Sequence, residues 1–465
     1  MKGDEKMIRE VKVENGIVRG VASADPRVTA FKGVPFAAPP VGKNRWRAPQ
    51  PCEDWDGVLL AQEFAPISIQ DQPGVGDDVY CKEWHVDPDI PMDEDCLYLN
   101  IWTPAKCADE KLPVLVWFFG GAFQWGYTAE MEFDGERLAR RGIIVVSVNY
   151  RLALMGFLCH PEITKENPDA PANFGLLDQQ AGLKWVYRNI AAFGGDPEKI
   201  TIAGQSAGGG STLQQLTCPD NYDIVKGAVI FSGMIDMEGQ EGDIFNPITL
   251  EEAEKNGEDF FKFIGVKSLE EARQIDAFKL RELYAEYSPL TFAPGMPPDM
   301  SKKMFPIRDG KHYLGDPLKR LAAGECPDVP VISGFTSDEF TFDGVNIVEK
   351  SIKKALSTAI DKDKEDGKTR KFYSYCFDPS IPGEDNPGTF HSVDLWFWFE
   401  SIQKCWRPFK GPHFDLARQM CNYFANFIKT GDPNGNDADG TPMPEWKSFD
   451  PESEADMNIL RLKEK

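Results

Sequence analysis

The chain has 465 residues, 42% of them hydrophobic, and its 74 acidic against 51 basic residues give a formal net charge of −23. This length suits two or three average domains or one large α/β unit. The acidic charge argues against a nucleic-acid partner, because phosphate backbones are bound mainly by Lys and Arg. The first residues are charged and no apolar run approaches transmembrane length, so we expect no membrane insertion and a cytoplasmic location.

The patterns predict strands and helices in alternation along the chain. The strands are expected over Leu112–Phe119, Ile143–Val148, Lys199–Ala203, Ala228–Phe231, Val329–Ser333 and Lys371–Phe377, and the helices over Gly135–Arg141, Asp178–Phe193, Leu250–Glu286 and Phe414–Lys429. This alternation indicates an α/β fold, with a mostly parallel sheet covered by helices on both faces. We expect a single domain over residues 1–465 with a mainly helical insertion around 250–325. Functional side chains of such sheets lie at the carboxyl ends of the strands.

The segment Thr201–Gly210 combines a β-branched strand, a Gly-x-Ser-x-Gly turn and small residues that open a helix. This pattern is typical of the nucleophile elbow of an α/β-hydrolase, with Ser206 as the nucleophile. Gly204 and Gly208 leave space where a Cβ would collide with backbone. A phosphate-binding loop fits less well, because Gly210 stands where the Lys of that motif belongs.

A nucleophilic serine needs a base and an acid that orients the base, and in this fold the chain order is Ser, acid, His. Of the histidines after Ser206, only His391 lies in a loop just beyond a predicted strand, whereas His413 precedes a helix and is expected to be a capping or a surface residue. The acid should follow the strand Val329–Ser333, where Asp338 and Glu339 are adjacent. Spacing alone does not choose between these two carboxylates.

The oxyanion hole of this fold is expected where the first long buried strand ends. The predicted strand Leu112–Phe119 runs directly into Gly120, Gly121 and Ala122. Small residues at this place allow backbone N–H groups to approach a substrate oxygen. The amide of Ala207, directly after Ser206, is the further expected donor.

At this point the chain resembles the type-B carboxylesterase family, which includes cholinesterases and bacterial para-nitrobenzyl esterases. The resemblance rests on the segments Phe31–Gly42, Glu94–Asn100, Asn149–Leu152, Asn173–Gln179, Phe193–Pro197 and Phe390–Leu395 together with the elbow. It implies an α/β-hydrolase fold, a triad of Ser206, Glu339 and His391, and oxyanion donors at Gly121, Ala122 and Ala207. It also implies that Glu339, rather than Asp338, is the acid, and that neither a metal nor a cofactor is needed.

Several positions depart from the pattern of the family. Ala122 replaces a glycine of the oxyanion loop, and Gln205 stands before the nucleophile where cholinesterases have an acid. Because a neutral amide does not attract quaternary ammonium by charge, choline esters are disfavoured as substrates. Relatives from secretory compartments often bridge the Cys of the Glu-Asp-Cys motif. Cys81 is the candidate partner of Cys96 here, but a cytoplasmic location argues against this disulfide.

The resemblance implies a serine carboxylesterase that acts on a small-molecule ester through an acyl-enzyme. Trp125 and Trp396 are candidate pocket residues, with Gln205, and aromatic pocket walls would favour aryl or short- to medium-chain acyl esters. Ordinary core packing is the alternative for both tryptophans. Two other functions remain open: a catalytically silent binding or adhesion module of the same fold, and an amidase, carbamate or lactone hydrolase with the same triad. The sequence leaves the oligomeric state, monomer or homodimer, undecided.

Overall fold

The computed structural model describes residues 7–236, 247–289, 302–342, 344–437, 440–453 and 457–461. The strands of this part of the chain are β1 (Glu10–Val13), β2 (Gly16–Arg19), β3 (Val21–Ala22), β4 (Thr29–Pro35), β5 (Val58–Leu60), β6 (Tyr98–Thr103), β7 (Leu112–Phe118), β8 (Ile144–Val148), β9 (Gly195–Gln205), β10 (Val225–Phe231), β11 (Val331–Thr336), β12 (Thr341–Phe342), β13 (Val345–Asn346), β14 (Phe372–Phe377) and β15 (Asn458–Leu460).

The helices of this part of the chain lie mostly after β7, between the strands of the main sheet. They are α1 (Val79–Glu83), α2 (Glu136–Ala139), α3 (Ala153–Phe157), α4 (Pro161–Glu166), α5 (Phe174–Asn189), α6 (Ala207–Thr217), α7 (Leu250–Ile264), α8 (Leu269–Arg273), α9 (Ala277–Tyr287), α10 (Pro317–Ala322), α11 (Ile347–Asp366), α12 (Leu395–Trp398) and α13 (Gly411–Thr430). The longer helices have the expected termini. For example, Thr249 and Glu252 form a capping box at the start of α7, and Gly265 ends it in the left-handed conformation.

The main sheet has the strand order β15-β14-β11-β10-β9-β7-β8-β6-β4-β3 within the described residues. The strands from β15 to β8 are parallel, and β6, β4 and β3 continue the sheet in antiparallel pairing. The register aligns the carboxyl ends of the central strands, because Gly204 lies opposite Phe118 and Phe231 lies opposite both Gln205 and Gly334. The loops that leave these four strands therefore start from one edge of the sheet.

The central strands are buried on both faces, and their side chains point alternately to two hydrophobic clusters. In β7, Leu115 and Trp117 belong to one cluster, whereas Val114, Val116 and Phe118 belong to the other. Fully burying a side chain of this kind stabilises the fold by about 1.5–3 kcal/mol. The edge of the sheet is thereby a rigid base for the loops that follow it.

The predicted α/β class and the mostly parallel sheet are confirmed. The predicted strand Lys199–Ala203 is part of a longer strand. The strand β9 already begins at Gly195, because Gly195 pairs with Leu112. The region around 250–325 contains α7 to α10, while residues 290–301 of it lie outside the described residues.

All ten cysteines lie in the described part of the chain and none is in a disulfide, including Cys81 and the buried Cys96. Burial, together with the hydrogen bond to Asp78, raises the pKa of the Cys81 thiol to about 11. Among the described residues, no helix combines the length and the apolar character that crossing a membrane requires.

Candidate active site

Ser206 lies at the sharp turn between β9 and α6, with φ +56° and ψ −122°. Its amide donates to the carbonyl of Phe231 on β10 at 2.9 Å, and its carbonyl accepts from Gly210 at 2.8 Å. A Cβ on Gly204 would lie 2.1 Å from the Gly208 oxygen, and one on Gly208 would lie 2.0 Å from the Phe118 oxygen. Only glycine therefore allows the strand and the helix to approach this closely. The turn lifts the Ser206 side chain to the edge of the sheet.

The backbone amides predicted as oxyanion donors, those of Gly121, Ala122 and Ala207, donate no hydrogen bond to any described residue. Ala207 is the first residue of α6, where the helix dipole favours negative charge. Gly121 and Ala122 lie in the loop that follows β7, and both have positive φ, +100° and +52°. An alanine at +52° is strained, so the loop conformation is imposed by its surroundings. The amides predicted as oxyanion donors are thus unpaired groups at one edge of the sheet.

His391 and Glu339 form a hydrogen bond between Nδ1 and Oε2. The Glu339 carboxylate is completely buried, and its other oxygen accepts from the Thr336 amide at 3.0 Å. The ring of Phe340 packs edge-on against the imidazole, with 4.7 Å between the ring centroids. The imidazole therefore has a fixed orientation, and 16% of its side chain remains exposed.

The second ring nitrogen of His391, Nε2, lies 3.2 Å from Nε2 of the buried Gln205. An amide nitrogen can only donate, so His391 Nε2 accepts this hydrogen bond and the ring proton lies on Nδ1, towards Glu339. This is the tautomer that a general base needs. The hydroxyl of Ser206 makes no hydrogen bond with any of the described residues, although Ser206 is adjacent to Gln205 in the chain.

Asp338, the carboxylate that the resemblance did not assign as the acid, contacts the histidine loop. The residue is exposed, but its Oδ2 accepts from the amide and the hydroxyl of Thr389, at 2.8 and 3.0 Å. The Asp338 amide in turn donates to the Thr389 hydroxyl at 3.1 Å. Because Thr389 precedes His391 by two residues, Asp338 ties the histidine loop to the loop after β11. In the sequence, the only signal for this contact was the position of Asp338 directly beside Glu339.

Asp394 was not singled out by the sequence analysis, although it is the one acid in the otherwise apolar run 393–399. It is fully buried, and its Oδ2 accepts from the Tyr375 hydroxyl at 2.6 Å and from Trp398 Nε1 at 3.2 Å. Its other oxygen has no hydrogen-bond partner among the described residues. Burial raises the pKa of Asp394 to about 6, and the charge of Glu339 acts in the same direction.

The two predicted pocket tryptophans differ in their surroundings. Trp125 is half-buried and its Nε1 donates to Asp71 at 3.3 Å. Trp396 is completely buried, donates to Glu83 at 3.3 Å and packs against Trp84, with 6.2 Å between ring centroids. Trp84 stacks in turn on Phe390, which precedes His391. Trp396 thus contacts the histidine loop through Trp84 and has no exposed surface of its own.

An open cleft of about 480 Å³ lies beside α6 and the oxyanion loop. Gly210 and Leu213 of α6 and Phe123, which follows Ala122, contribute to its wall. Most of the remaining lining is apolar and includes Leu176, Ile235, Tyr313 and Leu318. We call this space the apolar cleft. Its lining suits a hydrocarbon chain or a ring.

Known proteins are similar to this chain in sequence and in fold. The model of the carboxylesterase family matches residues 8–375 and 357–465. Among solved structures, carboxylesterase EST55 of Geobacillus stearothermophilus superposes with a TM-score of 0.77 at 27% identity, covering 98% of this chain and 96% of that one. A PNB esterase superposes with a TM-score of 0.76 at 27% identity, covering 97% and 96% of the two chains.

Relatives with assigned names are similar over about 70% of the chain. Fumonisin B1 esterase of Sphingopyxis macrogoltabida is 35% identical over 338 residues, which are 72% of this chain and 57% of that protein. The cholinesterase of Mus musculus is 36% identical, over 71% and 53% of the two chains. The para-nitrobenzyl esterase of Bacillus subtilis is 35% identical, over 71% and 62%. The chain thus matches between a half and two thirds of the length of these relatives.

Proposed function

The chain belongs to the carboxylesterase family, and from this premise we propose that it hydrolyses carboxylic esters, with Ser206 as nucleophile, His391 as base and Glu339 as the acid that orients it. The observation that carries the proposal is the hydrogen bond between His391 Nδ1 and Glu339 Oε2 beside the strained turn of Ser206. Buried carboxylates that hold a histidine in this way stabilise the imidazolium that forms when the base takes a proton.

In the proposed reaction, Ser206 Oγ attacks the ester carbonyl while His391 Nε2 takes its proton. For this step His391 Nε2 exchanges its hydrogen bond with Gln205 for one with Ser206. The carbonyl oxygen becomes an oxyanion that accepts from the amides of Gly121, Ala122 and Ala207, each worth about 3 kcal/mol in the transition state. The imidazolium then protonates the leaving alcohol, and water repeats the sequence on the acyl-enzyme.

The proposed substrates are esters with short- to medium-chain or aryl acyl groups. The apolar cleft supports this class, because its lining suits such groups and its wall begins directly after Ala122. Gln205 is neutral, so the residue before the nucleophile offers no charge to a quaternary ammonium group. We therefore expect butyryl esters of neutral alcohols to be better substrates than butyrylcholine.

The experiment that tests the proposal compares the wild-type chain with Ser206→Ala in the release of p-nitrophenol from p-nitrophenyl butyrate. We expect the variant to lose on the order of a million-fold in kcat, as in other serine triads. Ser268→Ala, in the N-cap of α8, is the matched control and should retain the wild-type rate.

Other outcomes separate the alternatives. Activity retained in Ser206→Ala would exclude the proposed nucleophile. No turnover by a folded wild-type chain would favour a binding module of the same fold. Turnover of the p-nitroanilide as fast as the ester would favour an amidase, since the same acyl chemistry serves both bonds.

A further inference from the structure

A second cleft lies beside Gln124 and Trp125, in the turn that begins at Gly121. Its polar lining consists of Gln70, Asp71, Gln124, Arg281, Tyr284 and Lys303, and Trp125 forms part of the same wall. Arg281 lies on α9, within the mainly helical region. We call this space the cationic cleft, because two of its side chains carry positive charge and one carries negative charge.

The two cations of this cleft lack close carboxylate partners. Neither Arg281 nor Lys303 forms a salt bridge with a described residue, whereas the buried arginines Arg45, Arg151 and Arg407 each do. Arg281 donates a long hydrogen bond, 3.4 Å, to the Gln70 carbonyl and a weaker one, 3.9 Å, to the Met92 sulfur, and its guanidinium lies 5.5 Å from the ring centroid of Phe278.

Lys303 is half-buried, and its ammonium lies over the ring of Tyr284, 5.2 Å from the ring centroid. Burial lowers the pKa of Lys303, and the carboxylate of Asp71 only partly opposes this effect. Asp71 itself accepts from Trp125 Nε1 at 3.3 Å. The cleft therefore keeps a surplus of one positive charge in partly desolvated surroundings, which is a favourable place for one anionic group.

The cationic cleft is connected to the proposed oxyanion hole through the backbone. The amides of Gln124 and Trp125, which line the cleft, both donate to the Gly121 carbonyl at 2.9 Å. One tight turn thus carries a proposed oxyanion donor at its start and the cleft wall at its end. A ligand group bound in the cleft would therefore contact the same loop that carries the proposed oxyanion donors.

We propose that the cationic cleft binds a carboxylate of the substrate, in esters that carry a free carboxylate in addition to the ester bond. This inference rests on the proposed function and narrows it to carboxylate-bearing esters. Arg281 offers a planar fork that matches a carboxylate, and Lys303 adds a point charge. The carboxylate can belong to the acyl part or to the alcohol part of the ester, and the same cleft chemistry would recognise either.

The test compares charged and neutral esters of matched size. One pair is the p-nitrophenyl monoester of glutarate against p-nitrophenyl valerate, which places the charge on the acyl part. The second pair is 4-butyryloxybenzoate against phenyl butyrate, which places it on the alcohol. The measured quantity is the ratio of kcat/KM for the charged over the neutral member, in wild type and in the single variants Arg281→Gln, Lys303→Gln and Asp71→Asn.

We expect the wild type to favour the charged member of one pair, which identifies the part that carries the carboxylate. Arg281→Gln and Lys303→Gln should each lower that ratio about tenfold, mainly through KM of the charged ester, and Asp71→Asn should raise it. Lys279→Gln is the matched control, because Lys279 is an exposed cation on the same helix that pairs with Glu282. It should leave the ratio unchanged.

A ratio that neither Arg281→Gln nor Lys303→Gln changes, in both pairs, would overturn the inference while leaving the esterase intact. If no ester is turned over at all, the proposed function fails by itself. Calorimetric titration of the folded chain with glutarate then tests anion binding in the cleft independently of ester turnover. Binding that the double variant Arg281→Gln/Lys303→Gln abolishes would support an anion site, and the absence of binding to the wild type would exclude one.

Discussion

At the scale of single residues, the loop that carries the proposed oxyanion donors depends on Gly121 having no side chain. Its φ is +100°, and an added Cβ would lie 2.2 Å from the Trp125 carbonyl oxygen. In Gly121→Ala the loop must shift, so the amides of residues 121 and 122 no longer point towards the substrate oxygen. We expect kcat for p-nitrophenyl butyrate to fall about 100- to 1,000-fold, the effect of losing one oxyanion donor.

Gly142→Ala provides the matched control for this prediction. Gly142 also has positive φ, +81°, but an added Cβ there meets no atom within 4 Å. This variant carries the backbone strain without the steric contact and should keep its kcat. An equal loss of kcat in the two variants would mean that general destabilisation, rather than the oxyanion loop, limits the rate.

Asp394 makes stability depend on pH in a defined direction. Its pKa is about 6 in the folded chain, against the value of 3.8 for an ordinary Asp. Between these values the folded chain binds a proton that the unfolded chain has lost, so stability falls as pH rises from about 4 to 6. The loss is on the order of 3 kcal/mol for a single group.

Asp394→Asn removes this titration, and denaturation by urea between pH 4 and pH 7 measures the consequence. The free energy of unfolding of the variant minus that of the wild type should increase by up to about 3 kcal/mol as pH rises over this range. A difference between variant and wild type that stays constant with pH would show that Asp394 does not titrate there.

At the scale of secondary-structure elements, the proposed site depends on how two loops are joined. His391 follows β14, and Glu339 follows β11. The neighbouring Asp338 binds Thr389 through both its carboxylate and its amide. This contact fixes the histidine loop relative to Glu339, so Asp338 is a positioning residue that need not touch substrate.

Asp338→Ala should lower kcat about 10- to 100-fold with little change in KM, because small displacements of a base are costly. Thr389→Val removes only the hydroxyl contacts and should have a smaller effect in the same direction. Thr389→Ser restores the hydroxyl and should restore kcat. If Thr389→Ser is as impaired as Thr389→Val, the lost methyl group rather than the hydrogen bond explains the defect.

Elements with strong local patterns were the ones that the sequence predicted. The apolar run of β8 is buried throughout and that of β7 over its last five residues, so each is recognisable without its neighbours. The short strands β1, β2 and β5 form a separate three-stranded sheet and went unpredicted. Only half of β1 is buried, and strands this short acquire their structure from pairing rather than from their own sequence.

The same distinction holds for the candidate site. Ser206 lies in a local motif that imposes its own geometry, so its place at a strand–helix turn followed from the sequence. The contacts of Asp338 with Thr389 and of Gln205 with His391 join segments that are far apart in the chain. They depend on the register of the sheet, which a single sequence does not reveal.

At the scale of the whole molecule, the net charge of −23 destabilises the folded state, because its negative charges repel one another. Raising NaCl from 0.01 to 0.15 M shortens the Debye length from about 30 Å to about 8 Å, which screens this repulsion. We expect the melting temperature at pH 7 to rise by roughly 2 °C over this range. At pH 5, near the isoelectric point of about 4.7, the same salt step should have almost no effect. A melting temperature that falls with salt at pH 7 would mean that specific ion pairs such as Arg151 with Asp178 outweigh the net charge.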